Sequence, residues 1–185
     1  LGRRGIPIFF YEEAASRPER RDLPSIRKGE YEGLMEKLKD PRWKPDEGPD
    51  QFNPKSGGTI VGARFPLVAY NVNLKTKDVA IAKEIAKRVR FKDGGFPHVR
   101  AMGVELKEKG LVQVSMNLTD YRVTNLPKVY EFITEEALKK GVETEGSEIV
   151  GLVPLAVLEG IVQNFLKYPQ FSVRQVIEQR TLEFE

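Results

Sequence analysis

The sequence has 185 residues, of which 40% are hydrophobic and 31% are charged. This composition is typical of a folded globular chain, and the length suits one domain or one and a part. The formal net charge of +3 is too small to indicate a nucleic-acid partner by itself. The absence of cysteine excludes disulfides and zinc–thiolate sites, and a single histidine disfavours a transition-metal site. We therefore predict that the chain binds no metal.

The chain shows no targeting or membrane-spanning segment in its sequence. No apolar run approaches the roughly 18 residues that a membrane helix needs. The basic start of the chain lacks the apolar core of a signal peptide. We therefore predict a cytoplasmic location and no membrane partner.

The first third of the chain is irregular. Residues 6–11 form an apolar run that predicts a strand, and short helical pieces follow it. These pieces carry a group of cations that we predict to lie on a solvated surface: Arg17, Arg20, Arg21, Arg27 and Lys28. Residues 48–64 are polar and glycine-rich, which predicts a loop before the core.

The signals become regular after this loop. Residues 66–74 predict a strand, and Thr76 or Asp78 can cap a helix that runs to Val89. Two further strands meet at a hairpin signal around Gly110, and a helix ending at Gly141 follows. Residues 147–153 predict the fourth strand, and a last helix follows Pro154. The order β-α-β-β-α-β predicts an α+β, ferredoxin-like sheet with helices on one face.

Two of the predicted strands carry polar side chains on one face. Because side chains alternate along a strand, Val112, Val114 and Met116 share the other, apolar face. Asparagine is a poor strand residue, and ordinary solvated faces carry lysine, glutamate and threonine. We interpret the polar face as a candidate binding surface, with a plain solvated face as the alternative. Its members are Asn71, Asn73, Gln113, Ser115 and Asn117.

The glycine-rich segment 48–64 is a second candidate. Its glycines let backbone N–H groups approach a ligand closely, and Lys55 or Arg64 could pair with an anion. It lacks the glycine spacing of the phosphate-binding and dinucleotide-binding loops. An ordinary linker is the alternative interpretation.

No side chain in the sequence is a convincing catalytic group. His98 follows a proline at a strand entrance, where a structural role is expected. Glu145 and Glu148 could form a carboxylate pair, although this spacing is common by chance. Ser147 has no histidine placed to activate it. We predict no catalytic residue within the chain.

Five blocks of the sequence resemble glutamate formiminotransferase, the half of formiminotransferase-cyclodeaminase that transfers a formimino group. The blocks are YEEAASRPERRDLPSIRKGEYEGL, WKPDEGP, GGTIVGARFPLVAYNVNL, VQVSMNLTDY and GSEIVGLVPL. The resemblance implies two ferredoxin-like subdomains whose sheets face each other and enclose a folate site. Residues 1–64 would be the end of the first subdomain with the connecting folate-binding loop, and residues 65–185 would be the second subdomain.

The resemblance also implies site residues and partners. Folate would contact Gly48, Pro49, Asp50, Gln51, Phe52, Asn53, Pro54, Lys55, Ser56 and Gly57, with additional binding by Arg64 and the polar strand face. Glu47 departs from the aromatic residue that is common before this segment. The family's acid–base histidine lies upstream of anything that matches this chain. We therefore expect a truncated product or one half of a split enzyme that is inactive alone. Its partner would be a separate first-subdomain polypeptide or a homo-oligomer. Strand 6–11 would lack its sheet.

The implied activity is the transfer of a formimino group from N-formimino-L-glutamate to N5 of tetrahydrofolate, its co-substrate, in one-carbon metabolism and histidine degradation. A non-catalytic folate-binding or regulatory module is an alternative. A second alternative is an RNA-binding ferredoxin-like domain, which requires aromatic residues on the central strands. Gln113, Ser115 and Asn117 supply none, so we expect no nucleic-acid partner.

Overall fold

The computed structural model describes residues 1–182, and its internal contacts divide the chain into two compact units, Leu1–Arg64 and Phe65–Glu185. Within residues 1–182, no helix is both long and apolar enough to cross a membrane. Each unit has its own hydrophobic core. The two units are therefore described in turn.

The first unit is a small two-stranded sheet with helices between its strands. Its elements are β1 (Ile8–Glu12), α1 (Leu23–Arg27), α2 (Glu30–Lys37) and β2 (Thr59–Ala63), with 3-10 turns at Gly2–Arg4, Pro18–Arg20 and Pro41–Trp43. Phe9, Ile26 and Leu34 form the buried cluster. β1 and β2 pair in parallel, with Ile8 opposite Thr59. The expectation that the first strand lacks a partner is wrong, because the β-branched run that starts at Thr59 lies beside it.

Arg20 corrects a second expectation, since it is completely buried rather than on a solvated surface. Its Nη1 lies 2.5 Å from Asp46 Oδ2. Its Nη2 donates to the carbonyl of Arg42 at 2.9 Å and to that of Lys44. The guanidinium also lies 5.9 Å from the centroid of the Trp43 ring. A buried charge needs such partners, and here they come from a segment far along the chain.

The second unit is a four-stranded antiparallel sheet in the order β4-β5-β3-β6. Its strands are β3 (Val68–Leu74), β4 (Val99–Leu106), β5 (Leu111–Leu118) and β6 (Thr144–Val150). Its helices are α3 (Val79–Val89), α4 (Leu126–Leu138), α5 (Leu155–Phe165) and α6 (Ile177–Leu182), with 3-10 turns at Phe91–Asp93, Lys107–Lys109 and Val173–Gln175. The predicted α+β class and the β-α-β-β-α-β order are confirmed.

Local signals explain where the second unit's elements begin and end. Asp78, not Thr76, caps α3, because its carboxylate accepts a hydrogen bond from the Ala80 N–H at 2.9 Å. Asn125 caps α4 in the same way. Gly110 has a φ of 65° and closes the hairpin between β4 and β5.

The core of this unit lies between the sheet and helices α3 and α4. Every second residue of β3 from Val68 to Leu74 is buried, and so are Val112, Val114 and Met116 of β5. Gly103 of β4 allows a close approach of α3, since an added Cβ would lie 2.3 Å from the backbone nitrogen of Lys83. The opposite face of the sheet therefore carries the alternate residues, as predicted.

Candidate functional site

The sheet face of the second unit that lies opposite the buried core residues is called the open face. β3 contributes Ala69, Asn71 and Asn73, and β5 contributes Gln113, Ser115 and Asn117. β4 and β6 add Arg100, Met102, Val104, Gly146, Glu148 and Val150 at the paired positions. None of these described residues is aromatic, in contrast to the stacking platform of an RNA-binding sheet. The five polar residues selected from the sequence share this face.

Glu148 is the centre of a hydrogen-bond network on the open face. Its Oε1 accepts from Asn71 Nδ2 and from Gln113 Nε2, both at 3.0 Å. Gln113 Nε2 also donates to Asn73 Oδ1 at 2.9 Å. Ser115 and Asn117 lie on the same face without a side-chain hydrogen bond among residues 1–182. The structure thus joins three of the predicted residues through a glutamate that was considered only as half of a carboxylate pair.

This network keeps Glu148 ionised. The hydrogen bond from Asn71 lowers the pKa of Glu148 below its usual value. Burial opposes this effect, while the hydrogen bond from Gln113 and the charge of Lys109 reinforce it. An ionised carboxylate only accepts hydrogen bonds, so it also fixes which way the two amide groups point. Glu148 is the only acidic side chain among the described residues of the open face, and its lowered pKa favours a negative charge there.

Glu145 takes no part in this network. The pairing of β3 with β6 shifts between Asn73, which lies opposite Gly146, and Leu74, which lies opposite Thr144. Glu145 is consequently the extra residue of a β-bulge. It makes no side-chain hydrogen bond or ion pair within the described part of the chain. The structure gives no support to a Glu145–Glu148 carboxylate pair.

The second candidate, segment 48–57, is ordered by Asn53. The Asn53 side-chain oxygen accepts from the backbone N–H groups of Lys55 and Ser56 at 2.9 and 3.2 Å, and its Nδ2 donates to the Gly5 carbonyl at 2.9 Å. The backbone carbonyl of Asn53 accepts from the Gly57 N–H at 2.7 Å. This asparagine organises the turn, as side chains of its type commonly do.

Aromatic contacts and glycine conformations fix the two ends of the segment. The ring centroids of Tyr31 and Phe52 lie 5.3 Å apart, and the Tyr31 hydroxyl donates to the Pro54 carbonyl at 2.7 Å. Gly48 has a φ of 83°, and a Cβ there would lie 2.4 Å from the Ile6 carbonyl oxygen. At Gly57 a Cβ would approach the Tyr31 ring to 2.9 Å. These contacts give the segment a defined conformation, unlike a flexible linker.

The two predicted anion anchors are available. Lys55 and Arg64 are exposed, and neither side chain makes a hydrogen bond or ion pair with another residue of 1–182. Of the remaining segment residues, Asp50 approaches Lys44 at 4.0 Å, while the side chains of Pro49 and Gln51 make no hydrogen bond or ion pair within residues 1–182. Ser56 and Gly57 border a cavity of about 320 Å³ above the first unit's core. The loop thus offers free cationic charge next to a concave surface.

The other polar candidates remain structural. His98 is exposed, has a φ of 60° and accepts at its carbonyl from the Thr119 N–H at 2.8 Å. Ser147 lies on the helix side of the sheet, opposite Val72. Among residues 1–182, no group of three or more histidine, aspartate or glutamate residues could hold a metal ion.

Comparison with known families assigns both units. The model of the formiminotransferase domain matches residues 69–183, and the model of the N-terminal subdomain of that domain matches residues 1–64. The chain belongs to the formiminotransferase family. The resemblance noted in the sequence is therefore confirmed for the chain as a whole.

Two relatives match almost all of this formiminotransferase chain. Glutamate formimidoyltransferase of Streptococcus pyogenes is 43% identical over 96% of the chain and 60% of its own length. Glutamate formimidoyltransferase of Thermoplasma acidophilum is 45% identical over 95% of the chain and 58% of its own length. The formimidoyltransferase-cyclodeaminase of the rat is 48% identical over 83% of the chain and 29% of its own length. The chain thus spans roughly three fifths of the first two relatives.

The sequence did not reveal the structural roles of two residues on these surfaces. Asn53 was only one member of the segment, and its role depends on contacts with Gly5 and its own turn. Glu148 was visible in the sequence, but its place opposite Asn71 depends on how β3 and β6 pair. The alternation of side chains along β6, which places Glu148 on the face opposite Ile149, was the one sequence signal that could have identified Glu148.

Proposed function

We propose that this chain is a component of a glutamate formimidoyltransferase that moves a formimino group from N-formimino-L-glutamate to N5 of tetrahydrofolate. The observation that carries the proposal is the match to relatives with this name over 95% of the chain or more, across both units. The family resemblance supports residues 1–64 as the end of the first subdomain and residues 65–185 as the second. It also supports a cytoplasmic role in histidine degradation and one-carbon metabolism.

The segment 48–57 is the proposed folate contact. Its turn is already ordered by Asn53, so little conformational entropy would be lost when a ligand binds. Lys55 beside it is an exposed, unpaired cation among the described residues, and folate carries carboxylates at its glutamate end. Arg64 is a second cation of this kind. The open face of the second unit is the proposed surface for the remaining polar parts of the substrates.

The transfer requires proton movement as well as binding. The N5 atom of tetrahydrofolate bonds to the formimino carbon and loses its proton. The bond from that carbon to the glutamate nitrogen breaks, and the released glutamate nitrogen takes up a proton. A group that titrates near neutral pH suits this task. His98 is the only histidine of the chain. It is exposed at a strand entrance, where its backbone carbonyl accepts a hydrogen bond from the Thr119 N–H. We therefore propose that the acid–base group comes from a separate first-subdomain polypeptide.

An activity assay tests this proposal. The purified chain is mixed with tetrahydrofolate and N-formimino-L-glutamate, and 5-formiminotetrahydrofolate is measured with and without a polypeptide that supplies the rest of the Streptococcus pyogenes relative's first subdomain. We expect no turnover by the chain alone and turnover by the pair, unchanged by His98→Ala. Turnover by the isolated chain that His98→Ala abolishes would show that the catalytic centre is misplaced. Saturable folate binding without turnover in the pair would favour a non-catalytic folate-binding module.

A further inference from the structure

Glu148 has unused hydrogen-bonding capacity in the middle of the open face. Both amide donors, Asn71 Nδ2 and Gln113 Nε2, reach the same oxygen, Oε1. Oε2 has no hydrogen bond to any residue between 1 and 182. An ionised carboxylate has about four lone-pair sites, so roughly two remain, both at Oε2.

The neighbouring amides leave carbonyl acceptors beside Glu148. Gln113 uses its Nε2 group for Asn73 and Glu148, so its own free atom is the carbonyl Oε1. Asn71 directs one N–H of its Nδ2 at Glu148, which leaves its second N–H and its carbonyl Oδ1 without a partner among residues 1–182. Two amide carbonyl oxygens of the residues that bind Glu148 Oε1 therefore have no hydrogen bond within residues 1–182. A ligand that satisfies this arrangement must donate hydrogen bonds.

We propose that Glu148, flanked by the Asn71 carbonyl, binds an N–C–N donor edge, the pair of N–H groups that an amidine or an amino-pyrimidinone presents. Such an edge offers two nearly parallel donors to adjacent acceptors, which is the geometry of strong carboxylate recognition. The assignment rests on the proposed function, because both substrates contain this edge. N-formimino-L-glutamate carries it in its formamidinium group, and tetrahydrofolate carries it in the 2-amino and N3–H groups of its pterin.

Charge supports a cationic or donor-rich ligand over an anionic one. Glu148 is the only acidic side chain among the described open-face residues, and the hydrogen bond from Asn71 keeps it ionised. Arg100 is the basic residue of that face, on β4 at the far edge of the sheet from β6. The glutamate carboxylates of both substrates are thus repelled from Glu148 and would lie elsewhere. Glu148 would therefore determine specificity by binding the nitrogen-rich end of the ligand.

The test uses the full chain with paired ligands that differ only in the N–C–N edge. N-Formimino-L-glutamate is compared with N-formyl-L-glutamate, and tetrahydrofolate with its 2-desamino analogue. Binding is followed through the ¹⁵N side-chain amide signals of Asn71 and Gln113 in the wild type, in Glu148→Gln and in the control Glu145→Gln. The control removes the same charge from the same strand at the bulge, outside the network. Circular dichroism confirms that each variant is folded.

We expect the wild type to prefer one member of a pair by about tenfold, the usual scale for one charge-assisted contact. Glu148→Gln should abolish this preference, and Glu145→Gln should keep it. Loss of the preference within the formimino pair assigns the formamidinium as the ligand, and loss within the folate pair assigns the pterin.

Two other results would overturn the inference in distinguishable ways. If the ligands bind and every preference survives Glu148→Gln, Glu148 does not read this edge, and the proposed function stands. If neither wild-type chain nor wild-type chain with the complementing polypeptide binds either substrate, the proposed function fails as well.

Discussion

Asp46 binds Arg20 in the interior of the first unit, with Oδ2 2.5 Å from Nη1 and both side chains almost fully shielded from water. Asp46 also accepts hydrogen bonds from the Phe10 N–H at 2.7 Å and from the Ser16 hydroxyl. One carboxylate therefore connects β1, the turn that follows it and the buried guanidinium. This arrangement replaces the ordinary apolar packing at that point.

Asp46→Asn should strongly destabilise the first unit. The change leaves the Arg20 charge buried without its counter-ion, a situation that typically costs about 3–5 kcal/mol. Trp43 is the only tryptophan, and its ring lies 5.9 Å from the Arg20 guanidinium carbon. Urea unfolding followed by tryptophan fluorescence therefore reports this unit. The matched control Asp50→Asn, which removes an exposed partner of Lys44, should change the free energy of unfolding by less than about 1 kcal/mol.

The same pair predicts a pH dependence of stability. Burial alone would raise the pKa of Asp46, but the hydrogen bonds from Ser16 and Phe10 and the charge of Arg20 outweigh it and lower the pKa. A carboxylate with a lowered folded-state pKa stabilises the protein above its unfolded-state pKa, and this contribution is lost as the pH falls through the folded-state value. The urea concentration at the midpoint of wild-type unfolding should therefore decrease as the pH is lowered below about 4. If the urea midpoint of Asp46→Asn decreases with falling pH as steeply as that of the wild type, Asp46 is not the group responsible.

On the open face, Asn71→Ala should raise the pKa of Glu148. The hydrogen bond from Asn71 is the main cause of the lowered pKa, so its removal returns the carboxyl toward its usual value. Titration of the Glu148 side-chain carbon by NMR measures the change. Asn117→Ala is the control, because Asn117 lies on the same face without a bond to Glu148. An unchanged pKa in Asn71→Ala would remove Asn71 from the network.

Gly103→Ala should destabilise the second unit by about 1–3 kcal/mol, the usual cost of overpacking a core. The new methyl group would lie 2.3 Å from the Lys83 nitrogen, so α3 would have to move away from the sheet. Gly146→Ala is the control, since a Cβ at this position meets nothing within 4 Å. Thermal unfolding followed by circular dichroism compares the two. Equal effects of the two substitutions would argue against close packing of α3 on β4.

Lys55→Ala and Arg64→Ala should each weaken the binding of a polyglutamylated folate. Both side chains are exposed, so water and salt screen their contacts, and each should contribute about 0.5–1 kcal/mol, or roughly two- to fivefold in affinity. Calorimetry with the chain and the complementing polypeptide measures the effect, with Lys92→Ala, which removes a cation that is not part of the proposed folate contact, as the charge control. Unchanged affinity in the double variant would exclude these two anchors.

The fold of the second unit was predictable because its signals are local. Hydrophobic alternation in β3 and β5, the cap at Asp78 and the glycine at the hairpin each depend on neighbouring residues only. The first unit was predicted only in part. Its first strand was predicted, but β2 lay in a glycine-rich segment interpreted as a loop, and Arg20 resembled its exposed neighbours in the sequence. Its partners farther along the chain, Asp46 and the carbonyls of Arg42 and Lys44, distinguish Arg20 from them. The open face was predicted, but Glu148 was not, since strand pairing is a tertiary property.

The bulge in β6 means that the presence of Glu145 matters more than its side chain. Thr144 and Glu148 are four residues apart and would point the same way in a regular strand. With one residue added between them, Thr144 lies opposite Leu74 and approaches the Tyr130 hydroxyl at 3.4 Å, while Glu148 lies opposite Asn71. Deleting position 145 would force the strand to give up one of these two placements, whereas a side-chain change such as Glu145→Gln keeps the residue count that both placements need. The number of residues in β6, rather than the side chain at position 145, places Thr144 on the core side of the sheet and the charge of Glu148 on the open face.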